Sequence, residues 1–469
     1  MQQNGKIDMA DVICISPVDG REIARRQTAS GGEIDAVLTK ARAAQREWAA
    51  TSIADRKATV LRFLDALKAM NDEIVPELAW SMGRPVRYGG EMRGVEERTR
   101  HMADIAGEAL APIVPPDKPG FRRMIKREPL GLVLVIAPWN YPYMTAINSI
   151  VPGLIAGNAV MLKHAAQTIL IGERFQNAAD AVGLPKGLFQ HLILSHQDVA
   201  RILASGAVDH ANFTGSVSAG RDIERAAAGT FTSLGLELGG KDPAYVRADA
   251  DLDFAVENLV DGAFFNSGQS CCGIERIYVH ERLYGAFLDG VTALTSKYVL
   301  GNPLSAETSL GPMAHVRFAD LVREHTAEAL AKGARAHIDA DAFPADVPGT
   351  PYLAPQVLSE VDHSMRVMME ESFGPVVGIM RVSSDDEALA LMNDSPYGLT
   401  ASLWTRDIEA AEQLAARIET GTVFMNRCDY LDPALAWTGV KDTGRGASLS
   451  PLGYHMLTRP KSYHLRHAI

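Results

Sequence analysis

The residues able to do covalent chemistry in this chain gather in one run, Phe264-Phe-Asn-Ser-Gly-Gln-Ser-Cys271-Cys272-Gly273. Upstream, Asp251 is placed to cap a helix whose Leu252, Val256, Leu259 and Ala263 share an apolar face, and Gly268 is placed to break it. The two cysteines then fall in a tight bend, where backbone N–H groups are free to face a ligand. A thiol there is a candidate nucleophile, because the thiolate is the reactive species and unpaired donors stabilise negative charge. Taken alone, Cys271 fits a buried structural thiol equally well, since free cysteines are among the most buried residues. Other residues offer complementary chemistry. Glu237 follows the apolar stretch Leu234–Leu236 and precedes Leu-Gly-Gly-Lys. A carboxylate desolvated there suits a general base, or else it pairs with Lys241. Asn140, inside Pro138-Trp-Asn-Tyr-Pro142, offers its amide to a developing oxyanion, or else caps a Pro-rich turn. Phe213-Thr-Gly215-Ser216 runs on to Gly220 and opens a helix, whose free N–H groups and positive dipole end suit a phosphate. The spacing there is GxxxxG, not the dinucleotide fingerprint GxGxxG, and a plain turn into a helix fits it as well.

Positioning these residues takes strands that alternate with helices. Leu132–Ala137 is a continuous apolar run of buried-strand type that ends at the Pro138–Pro142 turn. A helix over Met144–Leu154 leads to a second such strand, Ala159–Leu162, which ends at Lys163. A helix over Leu170–Val182 and shorter strands at His191–Leu194 and Val208–Phe213 continue the pattern. Such alternation means βαβ units and a mostly parallel sheet, with ligands held beyond the carboxyl ends, where Asn140, Lys163 and Thr214 fall. Residues 33–110 read as helices, for example Asp55–Met70 with Val60, Leu61, Leu64 and Leu67 on one side, and their charges as solvated faces. After the Pro-rich stretch 112–118 a basic segment reads as a hairpin near 118–133. Past Glu237 a second α/β segment runs to about Gly446, with strands near Ile277–Val279, Val376–Ile379 and Thr422–Met425. The tail Leu457–Arg466 alternates and reads as an edge strand added to a neighbouring subunit.

The chain has 469 residues, 47% of them hydrophobic, which fits two or three domains with large cores. A net charge of -11 argues against nucleic acid or an anionic membrane as partner. The four cysteines, Cys14, Cys271, Cys272 and Cys428, are too scattered for a disulfide framework, and no CxxC or HExxH marks a metal site. No apolar run reaches membrane length and the start is polar, so a cytoplasmic location is expected.

Jointly, these residues resemble the aldehyde dehydrogenase superfamily. The matching stretches are PWNYP at 138–142, FTGS at 213–216, ELGGK at 237–241, FFNSGQSC at 264–271, EESFGPV at 370–376, YGLTASLWTRD at 397–407 and GVKDTGRG at 439–446. The resemblance implies an α/β fold of the aldehyde-dehydrogenase type. It has a Rossmann-like NAD(P)-binding domain (1–115 and 134–238), an α/β catalytic domain (239–446) and a small β oligomerisation arm (116–133 and 447–469). It implies Cys271 as nucleophile, Glu237 as general base, and an oxyanion hole from Asn140 and the Cys271 N–H. It also implies a dinucleotide site from Pro138, Trp139, Lys163, Ala166, Gly215, Ser216, Gly220, Leu238, Gly239, Glu371 and Phe373. Within it Lys163 meets the adenosine ribose, Ser216 the pyrophosphate, Glu371 the nicotinamide ribose and Phe373 the nicotinamide. The implied reaction joins Cys271 to an aldehyde, delivers hydride to the nicotinamide and hydrolyses the thioester with Glu237. A homodimer or homotetramer is implied as well.

Two features depart from the pattern. NAD-preferring members carry a glutamate three residues after the lysine, where this chain has Ala166 in Lys163-His-Ala-Ala166. Losing that acid relieves repulsion against a 2′-phosphate, and Lys163 and His164 add positive potential, so NADP is expected to serve alongside or ahead of NAD. The aldehyde pocket should be walled by Tyr141, Met144, Thr145, Asn148, Ser270, Cys272 and Trp437, with 427–435 as its rim. An aromatic or medium-chain aldehyde is the expected substrate. An acidic semialdehyde held by Arg427 is an alternative, as is an aminoaldehyde cradled by Tyr141 and Trp437 with Asp429 or Asp432 nearby. A relative passing its acyl group to coenzyme A is a further one, disfavoured because Glu237 serves hydrolysis.

Overall fold

The structure, a computed structural model, describes residues 10–468. An antiparallel pair, β1 (Asp11–Ile15) and β2 (Glu22–Gln27), precedes four helices, α1 (Gly31–Ala49), α2 (Ile53–Lys68), α3 (Asn71–Met82) and α4 (Met92–Ala109). Ser30 starts α1 with a capping box closed by Glu33, and Ser52 starts α2 by accepting from the Asp55 N–H. Val60, Phe63, Leu64 and Leu67 form the stripe that α2 buries.

Next come β3 (Phe121–Pro129), β4 (Leu132–Ile136), α5 (Pro142–Ala156), β5 (Ala159–Lys163), α6 (Ile169–Ala181), β6 (Phe189–His191), α7 (His196–Ala204), β7 (His210–Thr214), α8 (Val217–Ala227) and β8 (Ser233–Glu237). They build a six-stranded sheet in the order Gly444–Arg445, β8, β7, β4, β5, β6. The neighbours from β8 to β6 run parallel, and only the Gly444–Arg445 edge is antiparallel. Helices cover both faces, which is why β4 is buried at every position. The strand expected at His191–Leu194 is instead Phe189–His191: Leu192 still donates to the Leu162 carbonyl at 3.0 Å, but there the ladder stops. The apolar run beyond it is core filling, with Leu192 and Leu194 buried off the sheet.

Only Leu238–Lys241 separates β8 from β9 (Asp242–Val246), the start of a second sheet. After α9 (Leu252–Phe264) and β10 (Ile274–His280), this seven-stranded sheet is completed in the order Arg335–Ala336, Gln356–Ser359, Val376–Val382, β10, β9, Thr400–Trp404, Thr422–Met425. The short link sets the amino end of β9 against the carboxyl end of β8, so the carboxyl ends of the first sheet face the amino ends of the parallel strands of the second.

The tail strand Thr458–Arg466 pairs antiparallel with β3 of its own chain, from Thr458 against Pro129 to Arg466 against Phe121. The own-chain partner takes one edge of the tail, so the contact expected with a neighbouring subunit would use the other. The segment near 118–133, expected as a hairpin, folds back only through isolated antiparallel bridges, Lys118 with Phe121 and Ile113 with Ile125. The two strands match in length, and cross-strand chemistry fixes their register: Lys461 pairs with Glu128 at 2.9 Å and the Phe121 and His464 rings stack at 4.7 Å. The helix Ser450–Met456 before the tail lies against the body, its Tyr454 hydroxyl donating to the Met102 carbonyl at 2.7 Å. Of the expected arm segment 447–469, then, only the strand leaves the body. No helix among the described residues is long and apolar enough to cross a membrane.

Candidate active site

A cleft of about 430 Å³ opens where the carboxyl ends of β4, β5, β7 and β8 face the second sheet, lined by Pro138, Trp139, Asn140, Lys163, Gly215, Ser216, Glu237, Leu238, Gly239, Cys271, Glu371, Phe373 and Trp437. Residues far apart in the sequence therefore meet as expected.

The turn that carries Cys271 is built locally. The Asp251 side chain accepts from the Phe254 N–H at 3.3 Å, and α9 ends at Phe264, before the expected break at Gly268. Asn266 and Ser267 then take left-handed backbone angles, φ 54° and 57°, a conformation that costs a side-chain-bearing residue about 1–2 kcal/mol. Buried hydrogen bonds offset that strain. The Asn266 amide donates to the carbonyls of Asn140 at 3.3 Å and Gln269 at 3.2 Å, and the Ser267 hydroxyl donates to Gly311 at 2.9 Å. The turn leaves Cys271 half-buried on the cleft and Cys272 buried behind it.

Asn140 is 5% exposed, and its amide donates at 3.2 Å to the carbonyl of Gln269, two residues before Cys271. A buried ion pair, Arg84 with Glu91 at 2.8 Å, clamps this segment. Arg84 donates to the Asn140 carbonyl at 2.6 Å, and Glu91 accepts the N–H groups of Tyr143 at 3.0 Å and Met144 at 2.7 Å, holding the first turn of α5. The sequence reading put the charges of 33–110 on solvated faces; Arg84, Glu91 and Arg98 are buried instead. The available signal was that Arg84 stands between Gly83 and Pro85, and Glu91 follows Gly89-Gly90, in connections rather than on exposed helix faces.

Glu237 ends β8 and accepts from the hydroxyls of Ser448 at 2.6 Å and Thr214 at 3.3 Å. Burial pushes its carboxyl above the usual range, opposed by those two donors and by the charge of Arg98. The alternative pairing with Lys241 is not formed: Lys241 pairs with Glu275 and donates to Ser372 at 3.0 Å.

In the cofactor half, Ser216 caps α8 by accepting from the Ala219 N–H at 3.3 Å, which aims the helix start at the cleft. Gly220 does something other than meet a phosphate. A Cβ there would lie 2.6 Å from Leu238 Cδ2, so the glycine lets α8 pack on the β8 end. A Cβ at Gly239 would strike the Glu371 carboxylate, which accepts from the Gly240 N–H at 3.0 Å. Burial first, then repulsion from Glu275, pushes Glu371 up to about 8. Trp139 stacks on Phe318 at 5.3 Å and meets the edge of Phe373 at 5.6 Å. Phe318 and the adjacent Arg317, both lining the cleft, were not singled out in the sequence. Ala165 rather than Ala166 lines the cleft, and Ala166 is exposed where a short 3-10 turn begins. His164 gives no positive potential. Its Nδ1 accepts from the Ala165 N–H at 3.0 Å, its Nε2 lies 3.3 Å from the Pro142 carbonyl, and burial pushes it down to about 3.

The predicted substrate residues divide. Trp437 lines the main cleft, whereas Tyr141, Met144, Thr145, Asn148, Ser270 and Cys272 do not. The Thr145 hydroxyl is taken up by the Tyr141 carbonyl, and the Arg84 guanidinium lies 4.9 Å over the Tyr141 ring. Ser270 and Cys272 both donate to Asp429 at 2.9 Å, and burial lifts Asp429 to about 6. Asn148 accepts from Arg98 at 3.3 Å, and Arg98 also donates to the Met144 carbonyl at 3.1 Å. Polar groups therefore interrupt the apolar lining expected on this side. Arg427, the cation expected near the pocket, is exposed and stacks 3.5 Å over Tyr430, so the buried cation here is Arg98.

Comparison with known proteins agrees with this geometry. Residues 6–463 match the profile of the aldehyde dehydrogenase family. The chain is 33% identical over 451 residues, 94% of its length and 95% of the relative's, to the succinate semialdehyde dehydrogenase (NAD(P)+) Sad of Escherichia coli (strain K12). It is 33% identical to the geranial dehydrogenase of Castellaniella defragrans (strain DSM 12143 / CCUG 39792 / 65Phen), over 92% of this chain and 91% of that one. Among solved structures, succinic semialdehyde dehydrogenase from Streptococcus pyogenes in complex with NADP+ superposes with a TM-score of 0.91 at 26% identity, covering 97% of this chain and 100% of that one. By sequence along nearly its whole length and by fold, the chain belongs to the aldehyde dehydrogenase family.

Proposed function

We propose that the chain oxidises an aldehyde to the carboxylic acid with NAD or NADP as hydride acceptor. One observation carries this reading: Cys271, Asn140 and Glu237 line the same cleft as Lys163, Ser216, Glu371 and Phe373. The residues fit a dinucleotide. The capped start of α8 offers free N–H groups to a pyrophosphate, Lys163 and Glu371 offer a donor and an acceptor to ribose hydroxyls, and Trp139, Phe318 and Phe373 offer apolar walls. A dinucleotide held there by Lys163, Ser216 and Glu371 would supply the hydride acceptor for the oxidation.

The protein's own groups do the rest. The Cys271 sulfur adds to the carbonyl carbon, while the Asn140 amide and the Cys271 N–H donate to the oxygen as charge develops on it. The Asn266 and Arg84 contacts hold Asn140 beside the nucleophile's turn. Glu237, poised by burial, takes a proton from water so that hydroxide attacks the thioester, and Cys271 leaves as thiolate. A base in this position favours hydrolysis over transfer to coenzyme A. NADP acceptance is supported by the stretch Lys163–Ala166, which brings a lysine and an alanine to the cleft and no carboxylate to repel a 2′-phosphate. The β3–tail ribbon is the contact through which we place a homo-oligomer, and the unpaired cysteines suit the cytoplasm.

The test follows nicotinamide reduction with a panel of aldehydes and both dinucleotides. Cys271→Ala should abolish turnover. Glu237→Gln should cut steady-state turnover about 10²–10⁴-fold while a stoichiometric burst of reduced nicotinamide remains and thioester accumulates. Undiminished oxidation by Cys271→Ala overturns the reading.

A further inference from the structure

Arg98 stands out on the face of α4 that packs against α5. It is 7% exposed, yet among the described residues no carboxylate lies within ion-pair distance of it. Its only hydrogen bonds run from Nη1, to the Met144 carbonyl and to Asn148 Oδ1. The acids nearby are committed elsewhere. Glu91 is held by Arg84 and the α5 N–H groups, Asp429 by Ser270 and Cys272, and Glu237 by Ser448 and Thr214. Asn148, 2% exposed, keeps its Nδ2 buried with no acceptor. Burying a cation without an anion is costly, and an unsatisfied amide donor adds to that cost. Two adjacent sets of unused donors ask for one ligand: a planar anion with two acceptor oxygens. The location is also defined. Arg98 is bound to Met144 and Asn148 of α5, and α5 follows directly from Asn140, whose amide reaches the Gln269 carbonyl in the turn that carries Cys271.

Building on the reading of Cys271 as nucleophile, we propose that Arg98, assisted by Asn148, receives the distal carboxylate of the aldehyde, so that the preferred substrates are short ω-oxo acids. The aldehyde end lies at Cys271 while the carboxylate accepts from the free guanidinium edge and from Asn148 Nδ2. A cationic aminoaldehyde, drawn by Asp429, would meet the Arg98 charge and is disfavoured. A neutral aldehyde would leave the guanidinium buried and unmatched.

The experiment compares kcat/KM of the full-length enzyme for 4-oxobutanoate and 5-oxopentanoate with butanal, pentanal and 4-aminobutanal. The expected preference for the oxo acids over neutral aldehydes of the same length is about a hundredfold or more. Arg98→Met is expected to erase that preference by raising KM for the oxo acids far more than for neutral aldehydes, and Arg98→Lys to restore part of it. Equal loss toward all aldehydes in Arg98→Met would overturn the proposal and make Arg98 a support of the thiol and base. A wild-type preference for neutral or amino aldehydes would also overturn it. Oxidation of no aldehyde at all would sink the parent reading instead. A second measurement needs no variant: succinate should protect Cys271 of the wild type from iodoacetamide and butyramide should not, and equal or absent protection counts against the site.

Discussion

As the proposed base, Glu237 must lose its proton before it can take one from water, and burial holds its carboxyl above the ordinary range. Thioester hydrolysis is therefore expected to fail as pH falls through that raised value, giving kcat an acid limb above that of a free carboxylate. Ser448→Ala removes the shorter of two hydrogen bonds to the carboxylate, so the charged form loses support and the limb should move to higher pH. A kcat–pH profile that does not move would mean another group sets the limb. At this scale the meeting of Cys271, Glu237 and Asn140, the proposed reacting trio, in one cleft was legible, because each sits in a run whose residue order suits that chemistry. Arg98 was not, because a charge at helical spacing looks alike in sequence whether it faces water or a neighbouring helix; Arg84 and Glu91 stand in connections, where only the flanking glycines and proline hint at burial. His164 misled for a related reason, since a histidine after a strand-end lysine suggests charge until its burial is seen.

Among the elements, the α3–α4 connection and the start of α5 form a single mechanical unit. Glu91→Ala strips Arg84 of its counter-ion and α5 of the acceptor for two N–H groups. Chemical denaturation should register a loss of about 3–5 kcal/mol, the usual penalty for breaking a buried pair from one side. Activity should fall further than the folded fraction, because Asn140 hangs from the same arginine. Gly268→Ala should damage the neighbouring turn, since its φ of 68° is unfavourable for a side chain and a Cβ would collide with the Gly374 carbonyl. A variant as stable and active as the wild type would show that this turn can relax. The parallel strands were readable because burial on both faces leaves long apolar runs. Their ends were less so: the ladder stops at Leu192, and beyond it Leu194 fills core off the sheet.

For the molecule as a whole, the ribbon of β3 and Thr458–Arg466 is where sequence and structure part most. Alternation along the tail announced a strand, but nothing in one chain's pattern names which edge it will join. Its pairing with β3 leaves its outer edge open, and edges of that kind are where copies meet. Removing residues 458–469 is expected to yield a species of monomer mass in sedimentation velocity that still binds NADP. An unchanged mass would place the subunit contact elsewhere.

The same ribbon imposes an order on biosynthesis. β3 leaves the ribosome while its partner is still untranslated, and it must wait through most of the remaining chain before Thr458–Arg466 arrives. Throughout that interval Arg122, Arg123, Lys126 and Arg127 give the lone strand a dense positive charge. Nascent copies on one messenger would then repel each other along the segment most able to zip them together, a safeguard written into the strand itself.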